Sequence, residues 1–177
     1  SVIDYSEERV DERTVARPTD CGEYIAQDSV TWIDITGLND TSILQEVGDV
    51  FGVHPLVLED ILNTGQRPKL EDHGDYLFLV VKMLYRGTGD GQVVAEQVSL
   101  LLGKNYVISF QEVEGDVFDV IRDRIRAAKG RIRNMGCDYL AYALLDALVD
   151  NYFVVLEDQG DKIEELQDRV IENCETK

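Results

Sequence analysis

The chain has 177 residues, 44% of them hydrophobic, which suffices for one domain with a sizeable core and leaves little room for two. Its 17 basic against 35 acidic residues leave a net charge of -18, which argues against nucleic acid as a partner and favours cations or a basic surface on another chain. Three widely spaced cysteines, Cys21, Cys137 and Cys174, form no CxxC, so neither a disulfide framework nor a structural zinc site is suggested, and a reducing cytosol fits.

Ser1 to Gln27 is polar, with weak alternation at Val2-Ile3-Asp4-Tyr5 and Arg13-Thr14-Val15 that predicts two edge strands, then a short helix near Asp20 to Ala26. Val30 to Thr36 is rich in β-branched and aromatic residues and stops at Gly37, which reads as a strand. Asn39 and Asp40 can cap the next helix, whose buried face is marked by Ile43, Val47, Val50 and Phe51 and whose end is Gly52. His54-Pro55 then opens a short helix, because proline suits the first helical position, where its missing N–H has no intrahelical partner. Leu58, Ile61 and Leu62 predict its buried stripe, with Glu59 and Asp60 held rigidly at the edge. Gly65 and Pro68 end the helix, flanked by Arg67 and Lys69. Taken alone, Glu59 and Asp60 read most simply as a solvated helix face.

Tyr76 to Val81 is a continuous apolar run, predicting a central strand with helices over both faces of the sheet. The Gly87 to Gly91 segment leads into the strand pattern of Val93 to Leu102, so it reads as a hairpin loop rather than a phosphate loop. Gly103-Lys104-Asn105 turns back into Tyr106 to Phe110. A helix from Asp116 carries Val117, Val120, Ile121 and Ile125 on one face and Arg122, Arg124, Arg126 and Lys129 around the other, with Arg131 and Arg133 beyond. No aromatics interleave with these cations, so internal pairing is the better reading than nucleic acid or anionic lipid. From near Gly136 a long helix places Leu145, Val149, Tyr152, Leu156, Gln159, Ile163, Leu166 and Val170 on a heptad seam with only Gln159 polar. We expect residues 1–135 to form an α/β domain, a mixed sheet sandwiched between helices, and 136–177 to begin a stalk helix.

No catalytic constellation is present: the two histidines, His54 and His73, form no HExxH, and no GxSxG occurs. Acid placement is more informative. Glu157, Asp161 and Glu165, and likewise Glu164, Asp168 and Glu172, recur at i, i+4, with only Lys162 and Arg169 near to relieve the repulsion. Asp146 breaks the apolar run from Leu144 to Val149 and must be paired, hydrated or metal-bound, with Asp150 one turn later. No apolar run approaches the roughly 20 residues that cross a bilayer, so the chain by itself is expected to be soluble.

The segment His54-Pro55-Leu56-Val57-Leu58-Glu59-Asp60-Ile61-Leu62 followed by Arg67-Pro68-Lys69 resembles the hallmark segment of the cytosolic domain of CorA-family divalent-cation transporters. A second stretch, Asp138-Tyr139-Leu140 through Leu144 to Phe153, is similar to the same family, and the resemblance runs from about Val30 to the end. It implies a cytosolic regulatory domain of a homopentameric Mg²⁺ (and Co²⁺) channel, on the cytoplasmic side of the membrane, with the pore helices and their Gly-Met-Asn motif following Lys177. It implies no enzyme activity. It further implies that Asp60, with Glu59 and Asp146 close by, lines a divalent site between subunits that favours the closed pore. That reading expects Asp60 and Asp146 not to be locked to arginine or lysine of their own chain. The alternatives are the cytosolic domain of a related zinc transporter, a soluble module binding a partner helix through the heptad seam and, remotely, a carboxylate-based metal hydrolase.

Overall fold

The computed structural model describes residues 1–177 apart from 26, 88–91, 114–116 and 176–177, with only the backbone for 25 and 172–175. The described strands are β1 (Val2–Tyr5), β2 (Val10–Arg13), β3 (Val30–Thr36), β4 (Lys69–Asp72), β5 (Leu77–Arg86), β6 (Val93–Leu102) and β7 (Tyr106–Gln111). They form one mixed sheet in the order β2-β1-β3-β7-β6-β5-β4. β3 and β7 are parallel, and the other pairs are antiparallel. The helices are α1 (Gly22–Ile25), α2 (Thr41–Phe51), α3 (Pro55–Leu62), α4 (Asp119–Arg126) and α5 (Cys137–Glu175). α2 and α3 cover one face over Ile33, Phe78, Val80, Ile108 and Phe110, and α4 and α5 cover the other over Trp32, Val98, Leu100 and Val107. The expected sandwich is therefore present.

Several local expectations shift. β1 is an inner strand, not an edge: all four of its residues are buried between β2 and β3, and the second strand lies at Val10–Arg13 rather than near Arg13 to Val15. Its charged member, Asp4, is accommodated by the hydroxyls of Ser29 (2.7 Å) and Thr31 (2.9 Å) and by Arg9 (3.1 Å). β7 is the fully buried central strand; β5 is next to the edge because β4, a short strand after Pro68, lies outside it. The expected helix near Asp20 to Ala26 is a 3-10 turn at Pro18–Cys21 continued by α1, with residue 26 outside the described residues.

Asp40 caps α2 through the Ser42 N–H (3.0 Å), and Gly52 ends it at φ 67°, a left-handed conformation that favours glycine. The face of α2 that sinks deepest is Leu44 and Val47, with Ile43, Val50 and Phe51 only half-buried. On α3 the sheet takes Val57 and Ile61, not the Leu58–Ile61–Leu62 stripe: Leu58 turns toward α2 and Leu62 is exposed. Gly48 of α2 makes this possible, since a Cβ there would stand 2.8 Å from Leu58 Cδ1. In α4 Phe118, just before the helix, joins Ile121 and Ile125 inside while Val120 faces solvent; residue 116, the expected start, lies outside the described residues. The Gly87 to Gly91 loop also falls largely outside them, but β5 and β6 pair antiparallel up to Arg86 and Val93 on either side.

Of the cations around α4, Arg122 and Arg126 pair internally as expected, while Arg133 donates to the carbonyls of Ile125 and Arg126 and Arg124 to the Tyr139 hydroxyl. Arg122 binds Asp34 (2.5 Å) and Asp119 (2.6 Å) and lies over the Trp32 ring, and Arg126 binds Glu12 (2.7 Å) and Asp123 (2.8 Å). Cys21 and Cys137 are free and buried in the two opposite core layers; the side chain of Cys174 lies outside the described residues.

α5 is long and apolar enough, by length and composition alone, to cross a membrane, contrary to the expectation from the sequence. Its apolar face is partly used within the fold, where Leu140, Leu144, Leu148 and Val155 close the core. That face is adjacent to the predicted seam, because the sheet meets the helix at Leu140, Leu144 and Leu148. Val149, Leu156, Ile163, Leu166 and Val170 of the seam consequently point outward.

Candidate metal site

α3 is built to hold its acids still. His54 Nδ1 accepts the Leu56 N–H (3.2 Å), the His54 N–H donates to the Tyr76 hydroxyl (3.0 Å), and Pro55 occupies the first turn. The last carbonyls of a helix have no intrahelical donors. Here side chains supply them: Gln66 Nε2 donates to the Asp60 and Asn63 carbonyls, and Gln97 Nε2, from β6, reaches the carbonyls of Asp60 (3.3 Å) and Ile61 (3.5 Å). Lys82 from β5 donates to the Thr64 carbonyl (2.5 Å), tying the exit of the helix to the sheet.

The Asp60 carboxylate stands at the boundary, 32% exposed, and Oδ2 takes Lys69 Nζ at 2.6 Å. The same ammonium binds Glu71 Oε1 at 2.9 Å, and Glu71 Oε2 faces His73 Nε2 at 3.5 Å. Burial alone would lower the Lys69 pKa, but the hydrogen bonds to both carboxylates outweigh it and raise it, while Lys69 holds Glu71 below the usual carboxylate range. Lys69 and Glu71 sit two apart on edge strand β4 and so share one face of it. Glu59 is exposed and lines an open groove of about 300 Å³ between α2 and α3, with Asp49 on the opposite wall.

Asp146 lies elsewhere. It is exposed on α5, across the sheet from α3, and its Oδ1 accepts a long hydrogen bond from the Tyr142 hydroxyl (3.4 Å). Its place in an apolar run is the solvated side of the helix, so of the three possibilities for this charge hydration holds within the chain. The structure thus does not bring Asp146 beside Glu59 and Asp60 in one subunit, and among the described residues no group of three His, Cys, Asp or Glu side chains could hold a metal ion. The expectation that both aspartates lack a cation of their own chain fails at Asp60, which has Lys69; at Asp146 no ion pair forms among the described residues. On the stalk Glu157, Asp161, Glu164, Glu165 and Asp168 are all exposed, so water screens the expected repulsion, and neighbouring Asp158 is paired with Lys162 (2.8 Å) and Arg86 (3.1 Å). Sequence reasoning missed Glu71 and the partnership of Lys69; the i, i+2 spacing of the two in a strand after Pro68 was the available signal.

A model of the CorA-like Mg²⁺ transporter family matches residues 27–177. The chain belongs to that family. It is 53% identical over 145 residues to the cobalt/magnesium transport protein CorA of Thermotoga maritima, covering 82% of this chain and 41% of that protein, so it spans about two fifths of that relative. The soluble domain of CorA from Methanocaldococcus jannaschii superposes with a TM-score of 0.72 at 15% identity, over 97% of this chain and 64% of that one. The cytoplasmic domain of ZntB from Vibrio parahaemolyticus does so with 0.67 at 12% identity, over 92% and 63%. These two likenesses establish the fold, and the family is one of transporters rather than enzymes.

Proposed function

We propose that the chain is the cytosolic, cation-sensing portion of a CorA-type magnesium and cobalt transporter, a homopentamer that contacts the membrane through pore helices elsewhere in the protein. The observation that carries the sensing role is Asp60: its backbone carbonyl is held by the side chains of Gln66 and Gln97, its carboxylate reaches solvent, and Oδ1 accepts no hydrogen bond among the described residues. Asp60 and Glu59 on α3, and Asp146 on the opposite layer, present oxygen donors on two different sides of the subunit, as a ring in which each member faces two neighbours requires. The donor set fits magnesium, a hard ion that keeps most of its water and needs only one or two carboxylates from each side. Sensing near a millimolar level calls for about 4 kcal/mol, so no closed cage is needed.

When bound, a divalent cation would supply two positive charges between carboxylates that face each other across a subunit boundary. With it these acids hold subunits together and favour the closed pore; without it their mutual repulsion lets the ring relax. Asp60→Asn in the full-length protein should raise the Mg²⁺ concentration needed for half-maximal protection from trypsin by about tenfold or more, roughly 1.4 kcal/mol of lost cation binding. An unchanged protection curve would overturn the reading. Zn²⁺ titrated in parallel tests the alternative of a related zinc transporter.

A further inference from the structure

We infer that Lys69 is a resident counter-cation that competes with divalent ions for Asp60 and thereby sets the concentration at which the site fills. The inference rests on the reading of Asp60 as a cation ligand. Lys69 Nζ lies 2.6 Å from Asp60 Oδ2 and 2.9 Å from Glu71 Oε1, so one positive charge is shared by two carboxylates and fully neutralises neither. The side chains are 26%, 32% and 40% exposed, which places the cluster where water and ions reach it. A deeply buried pair would resist exchange; a pair at this boundary is replaceable.

The geometry also provides for the displaced ammonium. Its stem extends from the outermost strand, its Nζ rests 5.3 Å from the centre of the Phe78 ring, and Glu71 stands on the same face of β4. When an ion takes Asp60, Lys69 therefore retains Glu71 and rotates about its own side-chain bonds with no backbone movement. Asp60, Glu71 and Lys69 together carry one net negative charge; after exchange Lys69 and Glu71 form a neutral pair and Asp60 faces the ion. Arg67, two residues earlier and exposed, makes no ion pair with these acids among the described residues, so it separates competition from a change of net charge.

The test is a Mg²⁺ titration of the full-length protein, read as the midpoint of protection from trypsin and as the Mg²⁺-dependent rise in Tm, for wild type, K69Q, K69R, E71Q, R67Q and D60N. Competition predicts that K69Q lowers the midpoint about two- to fivefold. E71Q, which leaves Lys69 with Asp60 alone, raises it; K69R stays near wild type; and R67Q moves it less than half as far as K69Q. A lysine that merely supports the fold would lower Tm without Mg²⁺ and leave the midpoint in place or raise it, which would overturn the inference, as would R67Q shifting as far as K69Q. Should K69Q fail to fold, the direction of the E71Q shift decides. A D60N protein that titrates like wild type removes the site itself, whereas a response that depends on Asp60 yet is not sharpened by K69Q removes the competition alone.

Discussion

Glu96 is 4% exposed at the outer end of the β6–β7 pairing, and its Oε1 accepts the N–H groups of Glu112 (2.7 Å) and Val113 (2.9 Å) while Oε2 has no hydrogen-bond partner. Burial pushes its pKa above the usual 4.5, against the two N–H groups that pull it down. The folded state then holds this proton to higher pH than the unfolded state does. Its contribution to stability is therefore present at acid pH and is lost as pH rises from about 4.5 through the raised value. Glu96→Gln keeps an acceptor for the two N–H groups without the charge, so its Tm relative to wild type should climb between pH 4.5 and 7. Glu96→Ala should instead cost about 1–3 kcal/mol in denaturant unfolding, since two N–H groups at the strand end lose their acceptor. Little of this was legible from the chain: Glu96 looks like any polar residue in a strand, and its role depends on Glu112 and Val113 arriving across the sheet. Lys69 is partly the same case, because Glu71 two residues on could be read from strand spacing whereas Asp60, nine residues before it, meets it only through the turn between α3 and β4.

α5 is clasped to β5 where β4 stops. The last β4–β5 pair is Lys69 with Val80, and beyond it the carbonyls of Lys82 and Leu84 are taken by the Tyr152 hydroxyl and by Asn151 Nδ2 of α5, with Arg86–Asp158 (3.1 Å) one turn further. Side chains of the helix thus replace a missing strand as hydrogen-bond donors. Removing both donors in Asn151→Ala/Tyr152→Phe should cost about 1–3 kcal/mol. Hydrogen exchange would show where: amides of α5 beyond Leu148 should exchange faster, while Leu140 to Leu148, held by core packing, remain protected. Equal acceleration along the whole helix would mean the clasp has no local role. The existence and start of α5 were plain from periodicity, and the caps of α2 and the start of α3 at Pro55 from residue type, whereas α3 stops at Leu62 with Asn63 as its cap, before the Gly65 expected to end it. Which face it buries was not, since an apolar pattern spread over more than one stripe says that partners exist but not which stripe the sheet will take.

At the scale of the molecule, a net charge of -18 and an outward row of apolar side chains on α5 act in opposite directions. Val149, Phe153, Leu156, Ile163, Leu166 and Val170 are all exposed, an apolar row that contact with another chain would remove from water. If they serve the assembly of subunits, Ile163→Glu/Leu166→Glu in the full-length protein should shift its mass by light scattering toward smaller species. The unfolding midpoint of the sheet domain should stay unchanged, because neither side chain contributes to its core. A loss of stability without a change in mass would point to an intramolecular role instead. The amino-acid sequence by itself determined most of the order of strands and helices, β4 excepted, and the two-sided sheet, because these follow from local periodicity, capping chemistry and residue type, and its two motifs in order pointed to the family. Only the tertiary structure decided that β1 lies inside the sheet, that Glu59 and Asp60 stand across it from Asp146, and that Lys69 rests on Asp60. Such facts arise from contacts between segments distant in the chain, and charge, spacing and periodicity along a sequence carry no information about which distant surfaces will meet.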